Sequence, residues 1–294
     1  MFEKSLGCAL SGGGIKAYGQ VGVLKRLAEA NVKIDGYAGT SMGSIIATFA
    51  ACGQTPDQIE ERMVRIEKAV VDQNLLKATN SQFFPVLKAS ASGLISPLPF
   101  REVVEKELNE IGVYQLKDIK TPIVIVSTDL ITGGVVYFTN RKKSIKKRAF
   151  EVVFEDVSII DALQASCSFP MVFETMDFRG HQLTDGGVLM NLPVRPLRQL
   201  GFDKILSISM ENLSSFKSSK KVTDVAMRIM DITTQEAVRN AIAMSDVNLN
   251  VYDKNIGIFS FKKGKEAIDL GYKVADEAIH DIEDLKINLK RFFI

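Results

Sequence analysis

Histidine is nearly absent from this chain of 294 residues: only His181 and His280 are present. A three-histidine metal site within one chain is therefore impossible. A serine nucleophile must use one of these two as its base or do without histidine. Cysteine is scarce too. Cys8, Cys52 and Cys167 are scattered among small or apolar residues with no C-x-x-C spacing, which excludes a disulfide framework, a zinc knuckle and a redox pair. The expectation is buried, reduced thiols. No apolar run approaches the ~18 residues of a spanning helix, and the N-terminal MFEKSLGCALSGGG is too short in apolar residues for a signal peptide. These features lead us to expect a cytoplasmic protein. Charge of one sign is also lacking. Lys+Arg is 37 against Asp+Glu 35, a net charge of +2, which argues against a nucleic-acid binder acting by bulk charge. The balance is nonetheless uneven: Arg141, Lys142, Lys143, Lys146, Lys147 and Arg148 hold six cations and no acid, and without them the rest stands at 31 against 35, or −4.

What is present is an ordinary globular composition, 46% hydrophobic and 24% charged. The pattern alternates strand and helix. Short apolar runs predict strands over 6–10, 34–38, 123–126, 135–138, 178–184, 204–209 and 256–261. Helical spacing follows the glycines at 12–14 and covers 45–53, a segment opening at Thr55-Pro56, 100–110, 159–165, 222–248 and 265–290. Gly133-Gly134 predicts a hairpin. No repeat or linker divides the chain, so the expectation is one α/β domain, 1–294, around a largely parallel sheet.

Three constellations bear chemistry. Gly39-Thr40-Ser41-Met42-Gly43 is a G-x-S-x-G motif between a predicted strand and an apolar helix. Composition alone yields such a match roughly one time in ten. The strand-turn-helix context adds weight, because a tight turn there presents the Ser41 hydroxyl. Gly12-Gly13-Gly14 permits two readings. Gly12-x-Gly14-x-x-Ala17 with Asp35 downstream fits a dinucleotide fingerprint and an NAD(P)-dependent oxidoreductase. The other reading is an oxyanion hole of successive backbone N–H groups opening a helix, with Lys16 as a cation beside it. Asp35 begins its strand instead of ending it, which favours the second. Asp185-Gly186-Gly187 closes a strand and can point a carboxylate into a site at the sheet edge. An Asx-turn is the plainer alternative. His181 shares a strand face with Asp185 but lies about 13 Å away at ~3.3 Å per residue, so a triad is not expected, and His181 reads as a surface residue near a hairpin tip.

These motifs, in this order, resemble those of the patatin-like phospholipases: a glycine-rich loop with a following basic residue (Gly12-Gly13-Gly14-Ile15-Lys16), then G-x-S-x-G, then a distant D-G-G. Ala165-Ser166-Cys167-Ser168-Phe169-Pro170 also resembles the segment preceding the family's Asp motif. The likeness covers roughly 5–210 and is weaker over 211–294. Lys16 stands where arginine is commoner and Ala17 where glycine often follows. The resemblance implies a three-layer α/β/α fold and a serine acyl hydrolase of phospholipid or lysophospholipid esters. It also implies a catalytic dyad of Ser41 and Asp185, an oxyanion hole at Gly12, Gly13 and Gly14, auxiliary roles for Lys16 and Met42, and no cofactor. A non-catalytic lipid-binding protein is the other alternative. Two outlying features bear on the substrate: the basic run 141–148 as a contact for an anionic membrane or simply a solvated loop, and the apolar segment 71–99 as a cover over an acyl channel or simply packed helix and loop.

Overall fold

The computed structural model describes residues 4–75, 92–211 and 222–286. Most of the expected 71–99 cover, including Leu76, Phe83, Phe84 and Leu87, lies outside them. The chain opens with β1 (Leu6–Leu10), which leads through the glycine loop and a 3-10 turn (Gly14–Tyr18) into α1 (Gly19–Glu29). Next come β2 (Gly36–Thr40), α2 (Met42–Ala51) and α3 (Pro56–Asp72). The α3 start is legible in sequence: Thr55 and Gln58 form a reciprocal capping box, with Pro56 in the first turn. There follow β3 (Gly93–Ile95), α4 (Leu98–Glu110), β4 (Ile123–Asp129), β5 (Gly134–Thr139), β6 (Val152–Phe154) and α5 (Ile159–Cys167). Then come β7 (Met171–Phe173), β8 (Met176–Phe178), β9 (His181–Asp185), α6 (Gly187–Met190) and α7 (Val194–Leu200). The chain continues with β10 (Lys204–Ser209), α8 (Val222–Met244), β11 (Val247–Asn250), α9 (Gly264–Glu277) and α10 (Ile279–Lys286).

The main sheet runs β11-β10-β1-β2-β4-β5-β6, parallel from β11 through β4. Helices cover both faces. On one face α1, α2, α3, α5 and α9 bury Leu6, Cys8, Leu10, Ile45, Phe49 and Ile125. On the other, α7 and α8 bury Ala9, Ala38, Val124, Val126 and Ile205. Alternate residues of the same strands thus go to opposite layers, and the strands read as continuous apolar runs. The three-layer architecture is the expected one.

One feature of this sheet positions the site. β4 is longer than β2 and divides one of its edges. Ile123 to Val126 pair with β2 in parallel, and Ser127 to Asp129 pair with β9 in antiparallel. Thr40 lies opposite Val126 and Asp185 opposite Ser127, so β2 and β9 meet head-on along β4.

The C-terminal part is built into the sheet. β10 and β11 extend it, and α9 packs on α1 so closely that a Cβ on Gly22 would stand 1.8 Å from the Ile268 carbonyl oxygen. Several expectations need correction here. Residues 256–261 are turns, not a strand: the Ile258 carbonyl accepts the Ile15 N–H at 2.9 Å, so their apolar side chains serve loop packing. The last strand is β11, inside the segment read as helical over 222–248. Its Asn248 and Asn250 are poor strand formers, but they bond to Ser207 and Ser209 of β10. The helical pattern of 265–290 divides into α9 and α10 at Ala278. The strand expected at 178–184 is a hairpin of β8 and β9.

Candidate active site

Ser41 sits between β2 and α2 at φ 52°, ψ −130°, a backbone conformation that costs on the order of 1–3 kcal/mol for a residue with a Cβ. The flanking glycines make the turn possible by close approach. A Cβ on Gly39 would lie 2.5 Å from Ser44 Cα, and one on Gly43 would lie 2.4 Å from the Ser11 carbonyl oxygen. The turn is tied down by Ser166 of α5. Its hydroxyl accepts the Ser41 N–H at 2.9 Å and donates to the Val126 carbonyl at 2.6 Å. Met42, the first residue of α2, lines the same cavity, and its N–H is one of the amides that a helix start leaves without an intrahelical acceptor.

Asp185 ends β9 at 2% exposure. Its Oδ1 accepts the Gly187 N–H at 2.7 Å, and Oδ2 is buried with no hydrogen-bond partner among the described residues. Burial pushes its carboxyl up to about 6, against a smaller downward pull from the Ser41 hydroxyl and the Gly187 amide. Gly186 lets the strand end press on β4: a Cβ there would be 2.3 Å from the Val126 carbonyl oxygen. The Asx-turn expected as the plain alternative is thus present, the other carboxylate oxygen is left unpartnered among the described residues, and Asp185 lines the same cavity as Ser41. Cys167 also faces this pair. Burial first, then the Asp185 charge, hold its thiol well above the ordinary range, so it is an inert apolar wall. All three cysteines are free.

The glycine loop divides its amides. The Gly12 N–H donates to the Asn191 carbonyl at 3.2 Å, which leaves it less available than the sequence suggested. The Gly13 and Gly14 amides have no acceptor among the described residues. Gly14 takes φ 57°, and a Cβ there would meet the Ile258 carbonyl oxygen at 2.3 Å. Lys16 follows, partly buried. Burial lowers its pKa, and Asp231 of α8 opposes that shift. Asp35 stands at the opposite edge of the sheet, where its carboxylate accepts the Leu6 N–H at 2.9 Å. It cannot reach the ribose of a dinucleotide held at the glycine loop, which argues against a nicotinamide-dependent oxidoreductase.

Ser11, Gly12, Gly13, Gly14, Ser41 and Asp185 line one cavity of about 700 Å³. Phe100, Phe169, Phe173 and Phe261 give it apolar walls, while Lys16, Arg228, Asp231 and Lys254 add charged ones. Phe100 and Phe173 stack at 5.9 Å. With Cys167 they also line a small adjoining cavity between α4 and α5. Neither histidine lines the main cavity. His181 bonds through Nδ1 to Asp129 Oδ2 at 2.9 Å, so it is an anchored residue and not a simple surface one. His280 is 95% exposed on α10. Asn191, Ser166 and Asp231 were missed in the sequence. Only Ser166 had a signal, its place in the segment before Phe169-Pro170.

The model of the patatin-like phospholipase family matches residues 8–198. The chain belongs to this family. Among its relatives is an NTE family protein of Mycobacterium tuberculosis, itself uncharacterized, 23% identical over 240 residues that cover 82% of this chain and 57% of the relative. Human patatin-like phospholipase domain-containing protein 6 is 25% identical over 208 residues, 69% of this chain and 13% of that protein. The chain thus spans little more than half the length of the mycobacterial relative. Among solved structures, VipD from Legionella pneumophila has the same fold, with a TM-score of 0.52 at 14% identity, over 96% of this chain and 67% of that one. The family match ends at 198, so β10, α8 and the turns at 256–261 lie beyond it, yet all three line the cavity, and the Ile258 carbonyl braces the end of the glycine loop through the Ile15 N–H.

Lys142, Lys143, Lys146, Lys147 and Arg148 of the basic run are exposed. Arg141 is spent on the Asn140 and Lys120 carbonyls at 2.9 and 2.7 Å, beside the start of β4 and away from Ser41. The run then climbs alongside β5 to the turn at Arg148–Glu151, level with Gly134. No helix among the described residues is long and apolar enough to cross a membrane.

Proposed function

We propose that this patatin-like protein is a serine acyl hydrolase that cleaves the carboxylic ester of a phospholipid or lysophospholipid through a Ser41–Asp185 dyad. The observation that carries the reading is the head-on meeting of β2 and β9 on β4, which brings a strained serine against a buried carboxylate with one unpartnered oxygen.

Asp185 Oδ2 takes the hydroxyl proton as Ser41 Oγ attacks the ester carbonyl. The tetrahedral oxyanion is held by the Gly13 and Gly14 amides, with Met42 and Lys16, which line the same cavity, as auxiliaries. The C–O bond to the leaving alcohol breaks, and that oxygen receives the proton from Asp185. Water then attacks the acyl-enzyme, Asp185 takes its proton, and Ser41 is released protonated. An unperturbed aspartate is a weak base for a hydroxyl. Burial raises this one to about 6, closer to the working range. The aromatic walls suit an acyl chain, and the charged walls suit a polar headgroup. No step needs a cofactor. We place the protein in the cytoplasm, with peripheral contact to lipid surfaces.

Hydrolysis of a short-chain ester by wild type, with Ser41→Ala folded but at least roughly a thousandfold slower, is the expected result. Equal rates would reject the reading.

A further inference from the structure

Two turns at the carboxyl edge of the sheet hold large apolar side chains in water. The first joins β4 to β5. Leu130 is 50% exposed and Ile131 65%. This turn is not loose. Asp129, fully buried, accepts from the Ile131 N–H at 3.1 Å, the Gln182 N–H at 3.2 Å and the Thr132 hydroxyl at 2.7 Å, and pairs with His181. The second turn, Arg148 to Glu151, holds Phe150 at 70% exposure and φ 65°, a conformation that a phenylalanine adopts only at a cost. It is fixed as well: Glu151 accepts the Arg148 N–H at 2.8 Å and is ion-paired with Arg195. The two turns touch, since a Cβ on Gly134 would overlap the Phe150 carbonyl oxygen. Exposed Lys146, Lys147 and Arg148 adjoin Phe150, and no acid falls between Arg141 and Phe150.

Scattered exposed apolar residues need no explanation. Here three stand on adjoining turns, each turn braced by a buried carboxylate and one of them strained, with cations beside them. The direction is also informative. Leu130 N–H bonds the Gln182 carbonyl, three residues along β9 from Asp185, so the tip stands about 10 Å beyond the dyad along the strand. Apolar faces of interfacial elements sink ~5–10 Å into a bilayer.

We propose that Leu130, Ile131 and Phe150, with Lys147 and Arg148, form a docking tip that inserts into an anionic lipid surface and brings the mouth of the Ser41 cavity to the interface. The cations match anionic headgroups, and the apolar side chains match the acyl boundary beneath them. The proposal deepens the lipid-hydrolase reading and rests on it for its purpose, but its test is binding, not turnover.

The chain contains no tryptophan, so Ile131→Trp introduces a single reporter. In a Ser41→Ala background the vesicles are not consumed, and binding is read whether or not the chain is a hydrolase. Phosphatidylcholine vesicles containing phosphatidylglycerol should shift the emission to shorter wavelength, and lipids brominated on the acyl chain should quench it. Vesicles of phosphatidylcholine alone should do so much less. Adding Leu130→Ser and Phe150→Ser should weaken vesicle binding roughly tenfold or more, with an unchanged melting temperature to show that the fold persists. No shift, no quenching, equal response to both vesicles, or undiminished binding by the serine variant would overturn the docking tip. An inactive wild type that still binds would instead count against the hydrolase.

Discussion

Burial of Asp185 acts in two directions: it raises the carboxyl, as the proposed role of base requires, and it makes ionisation costly. In the unfolded chain it titrates near 3.8, and in the fold near 6. A carboxyl with a raised folded pKa contributes stability that is complete below about pH 3.8 and is lost as pH rises through about 6. At neutral pH the folded chain therefore carries a penalty of about 3 kcal/mol, at ~1.4 kcal/mol per pK unit. Asp185→Asn keeps the bond from the Gly187 N–H and removes the charge. It should abolish ester hydrolysis and raise the melting temperature by a few degrees at pH 8, with the gap closing toward pH 4. A thermal melt of both proteins across that range checks this, and an Asn variant less stable than wild type at pH 8 would contradict it. Activity should have the opposite pH dependence, rising as Asp185 ionises near pH 6. That Ser41, Asp185 and the glycines are candidates was legible in the sequence, because they occur in short motifs; that they line one cavity is what the structure adds. Ser166 was not assigned a role. Its two bonds join α5 to β2 and β4, elements 125 and 40 residues away in the chain.

At the scale of elements, the device that matters is the division of β4 between β2 and β9. Periodicity gives strands and not their partners, so this could not be read from apolar runs. The misplaced last strand has a related cause: apolar residues at 256–261 pack on the glycine loop, while β11 is stitched by Ser–Asn bonds that a hydrophobic pattern cannot display. Ser166→Ala would leave the Ser41 N–H without its acceptor and the Val126 carbonyl without its donor. The expected cost is ~2 kcal/mol of stability. Turnover should also fall much more in kcat than in KM, because the turn loosens while the cavity walls remain. A KM effect alone would contradict the positioning role. Phe100 of α4 and Phe173 of β7 separate the main cavity from the small one beyond. Phe100→Ala should join them and shift the preference among p-nitrophenyl esters toward longer chains, by roughly tenfold in the ratio of long- to short-chain kcat/KM. An unchanged profile would mean that the acyl chain lies elsewhere.

Over the whole molecule, the three-layer arrangement puts the ends of β1, β2 and β9 at one edge and leaves both histidines outside the cavity they form. His181 instead braces Asp129, and His280 faces solvent. The double change His181→Gln, His280→Gln should therefore keep most of the activity, and a thousandfold loss in a folded double variant would restore a histidine base. The C-terminal third, weakest in its likeness to the family, walls the cavity and packs on α1, so truncation after 198 should unfold the chain rather than release a smaller enzyme. The most direct test of the central claim is reaction with an alkyl fluorophosphonate followed by peptide mapping. The account predicts one adduct per chain, on Ser41, formed rapidly by wild type and by the double histidine variant and very slowly by Asp185→Asn. An adduct on another residue, or labelling of Asp185→Asn as fast as wild type, would contradict it.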